Sequence, residues 1–239
     1  MRPLLLLFAL AACEGNGALY PIVGGGGGGG GMQGGADAAL DGNGSGSGQL
    51  SGRVCLITDA RQPTTGCATT GADGLTVTLD GATATTAVDG TFTIDPPTGT
   101  NIQWQVTGTD LITSIMGYSS VHTIPAMKDV DYLDLAGGNG VVGEAGNGDV
   151  FVHVAHANTS VELVAATSTP TATYATLYDG NAPTTWTQLG TGPLGMVWIA
   201  GLATGAATVT LTPQGGTATP VPAIPIGDQT LTWVSVELP

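Results

Sequence analysis

Positive charge is what this sequence has least of. Its 239 residues carry four Lys+Arg against 18 Asp+Glu, a formal net charge of −14. A surface of that sign repels phosphate backbones and anionic headgroups. That excludes nucleic acid as a partner and leaves membrane attachment to something other than basic side chains. Long apolar runs are missing as well, since no stretch reaches the ~18 residues of a membrane-spanning helix. Aromatics make up only 5%, so each Trp and Phe must anchor a thin core. No stretch shows apolar residues at helical spacing. After residue 50, Val, Ile and Trp alternate instead with Thr and Gln, the period of half-buried strands.

The N-terminus is of a different kind. Met1 and Arg2 make a minimal basic start, Pro3 to Leu10 a short apolar stretch, and Leu10-Ala11-Ala12-Cys13 closes it. This is the pattern of a cleaved secretory signal. Leu-Ala-Ala-Cys resembles the lipobox of bacterial lipoproteins. The resemblance implies that residues 1–12 are the signal peptide and that Cys13 is acylated as the mature N-terminus. It places the protein in the bacterial cell envelope, periplasmic or surface-exposed, with the membrane as a partner held through acyl chains. Residues 13–49 then read as a flexible tether. Gly24 to Gly31 is an unbroken glycine run, with no side chains to bury and the largest backbone entropy to lose. At about 5–6 Å × √n, some 35 residues reach roughly 30–35 Å.

With Cys13 acylated, Cys55 and Cys67 remain as an even pair in an oxidising compartment, so a disulfide closing the Thr58–Gly66 loop is favoured. The competing reading is a metal site, but two isolated cysteines lack the other ligands that zinc takes.

Beyond Leu50, short strand patterns separated by Gly, Pro, Asp and Asn turns occur in two series. The first contains Gly52-Arg53-Val54, Val77-Thr78-Leu79, Thr86-Ala87-Val88-Asp89-Gly90-Thr91-Phe92-Thr93-Ile94 and Pro97-Thr98-Gly99. The second contains Gly148-Asp149-Val150, Val161-Glu162-Leu163, Thr191-Gly192-Pro193-Leu194-Gly195-Met196-Val197-Trp198-Ile199 and Leu202 to Leu211. Both resemble the carboxypeptidase regulatory-like domain, a transthyretin-like, carbohydrate-binding-like β-sandwich. The second departs from the pattern with Leu194 for Asp and Val197 for Phe. The expected fold is all-β: two small tandem antiparallel β-sandwiches at 50–136 and 148–239, joined by a Gly-rich linker at 137–147. Val130 to Leu135 is read as a closing strand. A change of phase between Leu231, Trp233 and Val234, Val236, Leu238 is read as a β-bulge.

Candidate chemistry is sparse. The large zinc-bearing catalytic unit of carboxypeptidases is not present here. His153 and His156 lie three apart, on opposite faces of a strand, and Gly117-Tyr118-Ser119-Ser120 is no nucleophile elbow. No catalytic residue, cofactor or enzymatic activity is assigned. Asp129 and Asp131, placed on one strand face, with Asp134, Glu144, Asn147 and Asp149 around the Gly-rich junction, are candidate calcium ligands. An acidic, solvated linker is the favoured alternative. Trp104, Trp198 and Trp233 sit in strand patterns as core, whereas Trp186 is expected on a loop, exposed, as a candidate for stacking on sugar rings. The function expected is a lipid-anchored, non-catalytic structural or protein-interaction module of the cell envelope. A glycan-binding module is the alternative.

Overall fold

The computed structural model describes residues 48–99, 102–118, 122–156, 163–180 and 185–238. The expected signal peptide, Cys13 and the expected tether up to residue 47 lie outside them. The chain is all-β. The first half forms β1 (Leu50–Ile57), β2 (Thr76–Leu79), β3 (Ala82–Thr85), β4 (Thr91–Ile94), β5 (Gln103–Thr107), β6 (Leu111–Gly117) and β7 (Thr123–Lys128). A short helix, α1 (Asp129–Gly138), leads into β8 (Asn147–His156), β9 (Ala165–Thr169), β10 (Ala175–Asp179), β11 (Trp186–Thr187), β12 (Met196–Ala203), β13 (Gly205–Thr212), β14 (Thr219–Ile226) and β15 (Thr230–Leu238).

Each half repeats one topology. In the first, β1 lies between antiparallel β4 and parallel β7, facing a layer in which β5 links β2 and β6. In the second, β8 lies between antiparallel β12 and parallel β15, facing a layer in which β13 links β9 and β14. Among the described strands three pairings are parallel, the third being β6 with β15. The repeat extends to single hydrogen bonds. Thr86 donates its N–H to the Leu75 carbonyl and accepts the Leu75 N–H on its hydroxyl (both 2.9 Å). Thr191 does the same with Val164 (3.1 and 2.8 Å). Four residues on, Gly90 and Gly195 take φ of +82° and +65°, and their carbonyls accept the N–H of Val54 and of Val154. The counterpart of Val54 is thus Val154 rather than Val150, and that of Leu75 is Val164. Both strands thus sit several residues away from the correspondence that the sequence motifs suggest.

The halves differ in their third strand. β3 pairs with β2, whereas β10 crosses to the other layer and pairs with β12. They are also joined, because β15 pairs on one side with β8 and on the other with β6, Thr230–Trp233 lying opposite Thr113–Met116. One sheet therefore runs from β3 through the junction to β11.

β8, β12 and β15 are buried on both faces. Phe151, Trp198, Leu231 and Trp233 belong to the cluster that includes Leu56, Trp104 and Ile124. Val150, Val197, Val234 and Val236 belong to a second, between this layer and β9–β13–β14. This removes the bulge expected at Trp233–Val234. The β15 register against β8 is continuous from Leu231 to Leu238, and the apparent change of phase is a strand passing from one core to the other. The register shift falls in β12 instead, between Ile199 and Leu202. There Gly201 has φ +78°, and a Cβ would sit 2.5 Å from the Tyr174 ring.

The closing strand expected at Val130–Leu135 is helix α1. Tyr132 and Ala136, four apart, face inward, and Asp129 and Asp131 lie in the first turn, where carboxylates favour the helix dipole. Two buried residues in ten left no helical period to read. The expected linker begins with the last two helical residues, and Val141 is then buried with its N–H on the Ala136 carbonyl (2.9 Å).

Candidate functional site

Cys55 and Cys67 form a disulfide, which settles the pairing against a metal site. The stapled loop is folded down on itself. Arg61, 5% exposed, donates from Nε and Nη2 to the two Asp59 oxygens (2.8 and 2.6 Å). Burial works upward on the Asp59 carboxyl, but the Arg61 hydrogen bonds and charge outweigh it and leave its pKa lowered.

The calcium candidates are dispersed. Asp129 and Asp131 stand in the first turn of α1 rather than on a strand face, and Asp134 is exposed farther along it. Glu144 is exposed in the following loop, and Asn147 opens β8. Asp149 is buried and already satisfied. It accepts from the Tyr132 hydroxyl (2.9 Å), Trp198 Nε1 (2.8 Å) and the Gly201 N–H (2.9 Å). Burial pushes its carboxyl upward against these three bonds, and pushes the Tyr132 phenol upward too, so that Tyr132 remains the donor. No group of three His, Cys, Asp or Glu converges among the described residues.

Trp186 is not loop-borne. It sits half-buried in β11 opposite Asp179, edge-on to Trp198 (5.5 Å) and 6.0 Å from Phe151, which stacks on Trp233 at 4.7 Å. Its indole extends the core instead of offering a free face. Asp179, fully buried, accepts the N–H groups of Gly192, Leu194 and Met196 (3.1, 2.7 and 2.7 Å), and so shapes the turn before β12. His153 is half-buried on β8, its Nδ1 buried without a hydrogen-bond partner, and burial lowers its pKa. The side chain of His156 lies outside the described residues.

Among the described residues, a groove of about 670 Å³ opens beside the start of α1. Leu75 forms its apolar base, Val130 and Leu133 flank it at 60% and 63% exposure, and Asp73, Asp110 and Asp129 ring it with carboxylates. The Asp129 N–H donates to the Asp110 carbonyl (3.0 Å), and Asp110 holds φ +57°, which joins the helix start to the β5–β6 turn. Lys128 crosses the groove toward Gly71, where a Cβ would meet its ammonium at 3.6 Å. Two exposed apolar side chains at i and i+3 suit a docking face better than a reaction centre. The groove depends on α1, and a closing strand over Val130 to Leu135 would not have formed it.

The sequence matches no family model and no curated protein. Among solved structures, a type II cohesin–X-dockerin complex from Acetivibrio cellulolyticus contains a similar chain. The likeness covers 42% of this chain and 77% of that one, at 17% identity and a TM-score of 0.24. Gamma-CGTase from alkalophilic Bacillus clarkii is similar over 68% of this chain at 17% identity and a TM-score of 0.20, and the match spans 23% of that chain. Neither likeness bears on function.

Proposed function

We propose that this chain is an exported, lipid-anchored, non-catalytic protein of the bacterial cell envelope. It acts as a structural or protein-interaction module built from two sandwiches resembling carboxypeptidase regulatory-like domains. The observation that carries this reading is the Cys55–Cys67 disulfide. It uses the two cysteines left over if Cys13 is acylated, and structural disulfides persist in oxidising compartments. The Leu10-Ala11-Ala12-Cys13 pattern and the Gly-rich tether supply the anchor and the reach. The partner face is the groove beside α1, where Val130 and Leu133 stand free of the core.

The test is metabolic labelling with a fatty acid in a bacterial host, followed by crosslinking and affinity purification. Label in the wild type and none in Cys13→Ser is expected, as is a stoichiometric partner lost in Leu133→Asp. An unlabelled wild type removes the anchor, and a partner indifferent to Leu133→Asp moves the docking face elsewhere.

The glycan reading no longer rests on Trp186. It has one other support, the exposed Tyr118 stacked on His122 at 6.3 Å with Trp104 behind them. Quenching of Trp emission by a soluble polysaccharide, abolished in Tyr118→Ala, would favour it over the protein partner.

A further inference from the structure

Most carboxylates of this fold already have work within it. Asp59 is held by Arg61, Asp80 accepts from Thr98 and Gly99, Asp89 from Thr91, and Asp149 and Asp179 each accept three donors. The carboxylates of the groove beside α1 differ. Asp73, Asp110 and Asp129 stand around the apolar Leu75, Val130 and Leu133. Among the described residues, no ion pair or hydrogen bond uses their side-chain oxygens.

The described chain places no cation on them either. Arg53 donates Nε to the Asp89 carbonyl (3.0 Å), and Arg61 is bound to Asp59. Lys128 lines the groove yet forms no ion pair there among the described residues. A second copy would bring the same formal charge of −14, so it is repelled, as are nucleic acid and anionic lipid. A bare metal ion would use the carboxylates and leave Val130 and Leu133 facing water. The positive end of the α1 dipole is met by Asp129 and Asp131 of its own first turn. Val130 and Leu133, at i and i+3, stand about 5–6 Å apart at their Cβ atoms. A volume of about 670 Å³ matches sites that enclose a small ligand, roughly 300–1,000 Å³, so it takes a few side chains and not a domain face. A polypeptide segment with apolar residues at helical spacing and Lys or Arg beside them suits both features at once.

We infer that the groove receives a basic amphipathic segment of a partner protein. Its apolar side chains sit between Val130 and Leu133 over Leu75, and its Lys or Arg side chains lie on Asp73, Asp110 and Asp129. The inference rests on reading the groove as the partner face and adds the chemistry of the partner. The rim carboxylates speed encounter and set register, while the apolar contact holds the segment. The internal repeat supplies a way to close the groove. The counterpart of Gly74 is Leu163, which takes φ +60° where Gly74 takes +71°. A Cβ at Gly74 meets nothing within 4 Å, so leucine there follows a backbone the repeat already uses and projects from the groove wall.

The test uses the full chain with Cys13→Ser and a labelled synthetic peptide with leucines at i, i+3, i+4 and i+7 between flanking lysines. Fluorescence anisotropy reads binding. The peptide is expected to bind, more weakly as salt rises from about 50 to 200 mM. Versions with every Lys changed to Glu, or every Leu to Ser, are expected not to bind. Asp73→Asn with Asp110→Asn should weaken binding about five- to tenfold. Asp95→Asn with Glu237→Gln, which removes the same charge outside the groove, should leave it unchanged. Leu133→Ser should weaken it about tenfold, and Gly74→Leu should block it. Melting curves check that each variant is folded, and the exposed Asn pair and Leu133→Ser suffice if Gly74→Leu is not. Equal losses in the two charge-removing variants overturn the inference, because net charge alone then attracts the peptide. No binding by the Lys peptide overturns it as well. Binding of the Glu peptide that is lost in Leu133→Ser removes the basic partner and keeps the groove as a docking face. Binding indifferent to Leu133→Ser and Gly74→Leu removes the groove itself, and with it the partner face proposed above.

Discussion

The two halves share one scaffold of strand pairings and one Thr-to-Gly turn, yet they are pinned by different chemistry. The first half is stapled covalently, Cys55 to Cys67, and its acidic turn residues lie on the surface. Asp89 holds the turn into β4 by accepting the Thr91 N–H and hydroxyl (3.1 and 2.7 Å), and Asp80 holds Thr98 and Gly99 (both 2.9 Å). The second half has no described disulfide and sinks its carboxylates instead. Asp149 and Asp179 are buried, each satisfied by three donors. The same fold can thus be fixed by restricting the unfolded chain or by orienting buried donors in the folded one. The first device answers to reductant and the second to mutation.

The comparison breaks most sharply at Asp149. Asp149→Ala leaves the Trp198 indole, the Tyr132 hydroxyl and the Gly201 N–H without an acceptor, and about 3–5 kcal/mol of stability should be lost. Urea unfolding measures it, and a loss below 1 kcal/mol would show that water replaces the carboxylate. Opening the staple comes next. Reduction, or Cys55→Ser with Cys67→Ser, should cost about 3 kcal/mol for a loop of this size. Reductant should change the melting of the wild type and leave that of the double variant untouched. Tyr178→Phe strips from the edge of β9 the hydroxyl that accepts the Ala166 N–H (2.9 Å) and should cost roughly 1–2 kcal/mol, with faster amide exchange confined to Ala166 and its neighbours.

The smallest effect is a pH dependence. Burial holds His153 below its ordinary value of 6.5, so the unfolded chain takes up the proton first. The stability supplied by the neutral ring is complete above pH 6.5 and is lost as pH falls through the lowered value. A wild-type melting temperature that drops between pH 7 and 5, and a flatter profile in His153→Gln, are expected. Parallel profiles would assign the slope to other groups.

Much of this architecture was legible. Alternation placed β2, β4 and β5 with Val77, Leu79, Phe92, Ile94, Trp104 and Val106 inward, and the unbroken apolar run from Met196 to Ala200 suits a strand covered on both faces, as β12 is. The recurring Thr and Gly of the turn motif marked the repeat, because only a residue tolerant of positive φ fits where the Gly90 carbonyl meets Val54. A Cβ at Gly90 would lie 2.5 Å from that residue's oxygen. The junction was not legible. Parallel pairing of β6 with β15 joins segments far apart in the chain, and nothing local in Thr230–Trp233 distinguishes a strand with two neighbours from one with a single neighbour. The same fact disguised the phase of β15 as a bulge. Helix α1 escaped because Val130, Tyr132, Leu133 and Leu135 crowd four apolar residues into six, a density that suits a strand as well as a helix. Trp186 was misplaced because β11, only two residues long, leaves no period to detect.

The position of β15 also governs the order in which the molecule can be completed. It is the latest of the described strands, and it closes both β6 in the first half and β8 in the second. A polypeptide emerging from its N-terminal side therefore carries an unfilled β6 edge, with Leu231 and Trp233 absent from the core, until β15 arrives. Non-local pairing of this kind forms slowly. Under the export proposed above, that delay is an advantage, since the structure cannot lock while β15 is still behind the translocation channel.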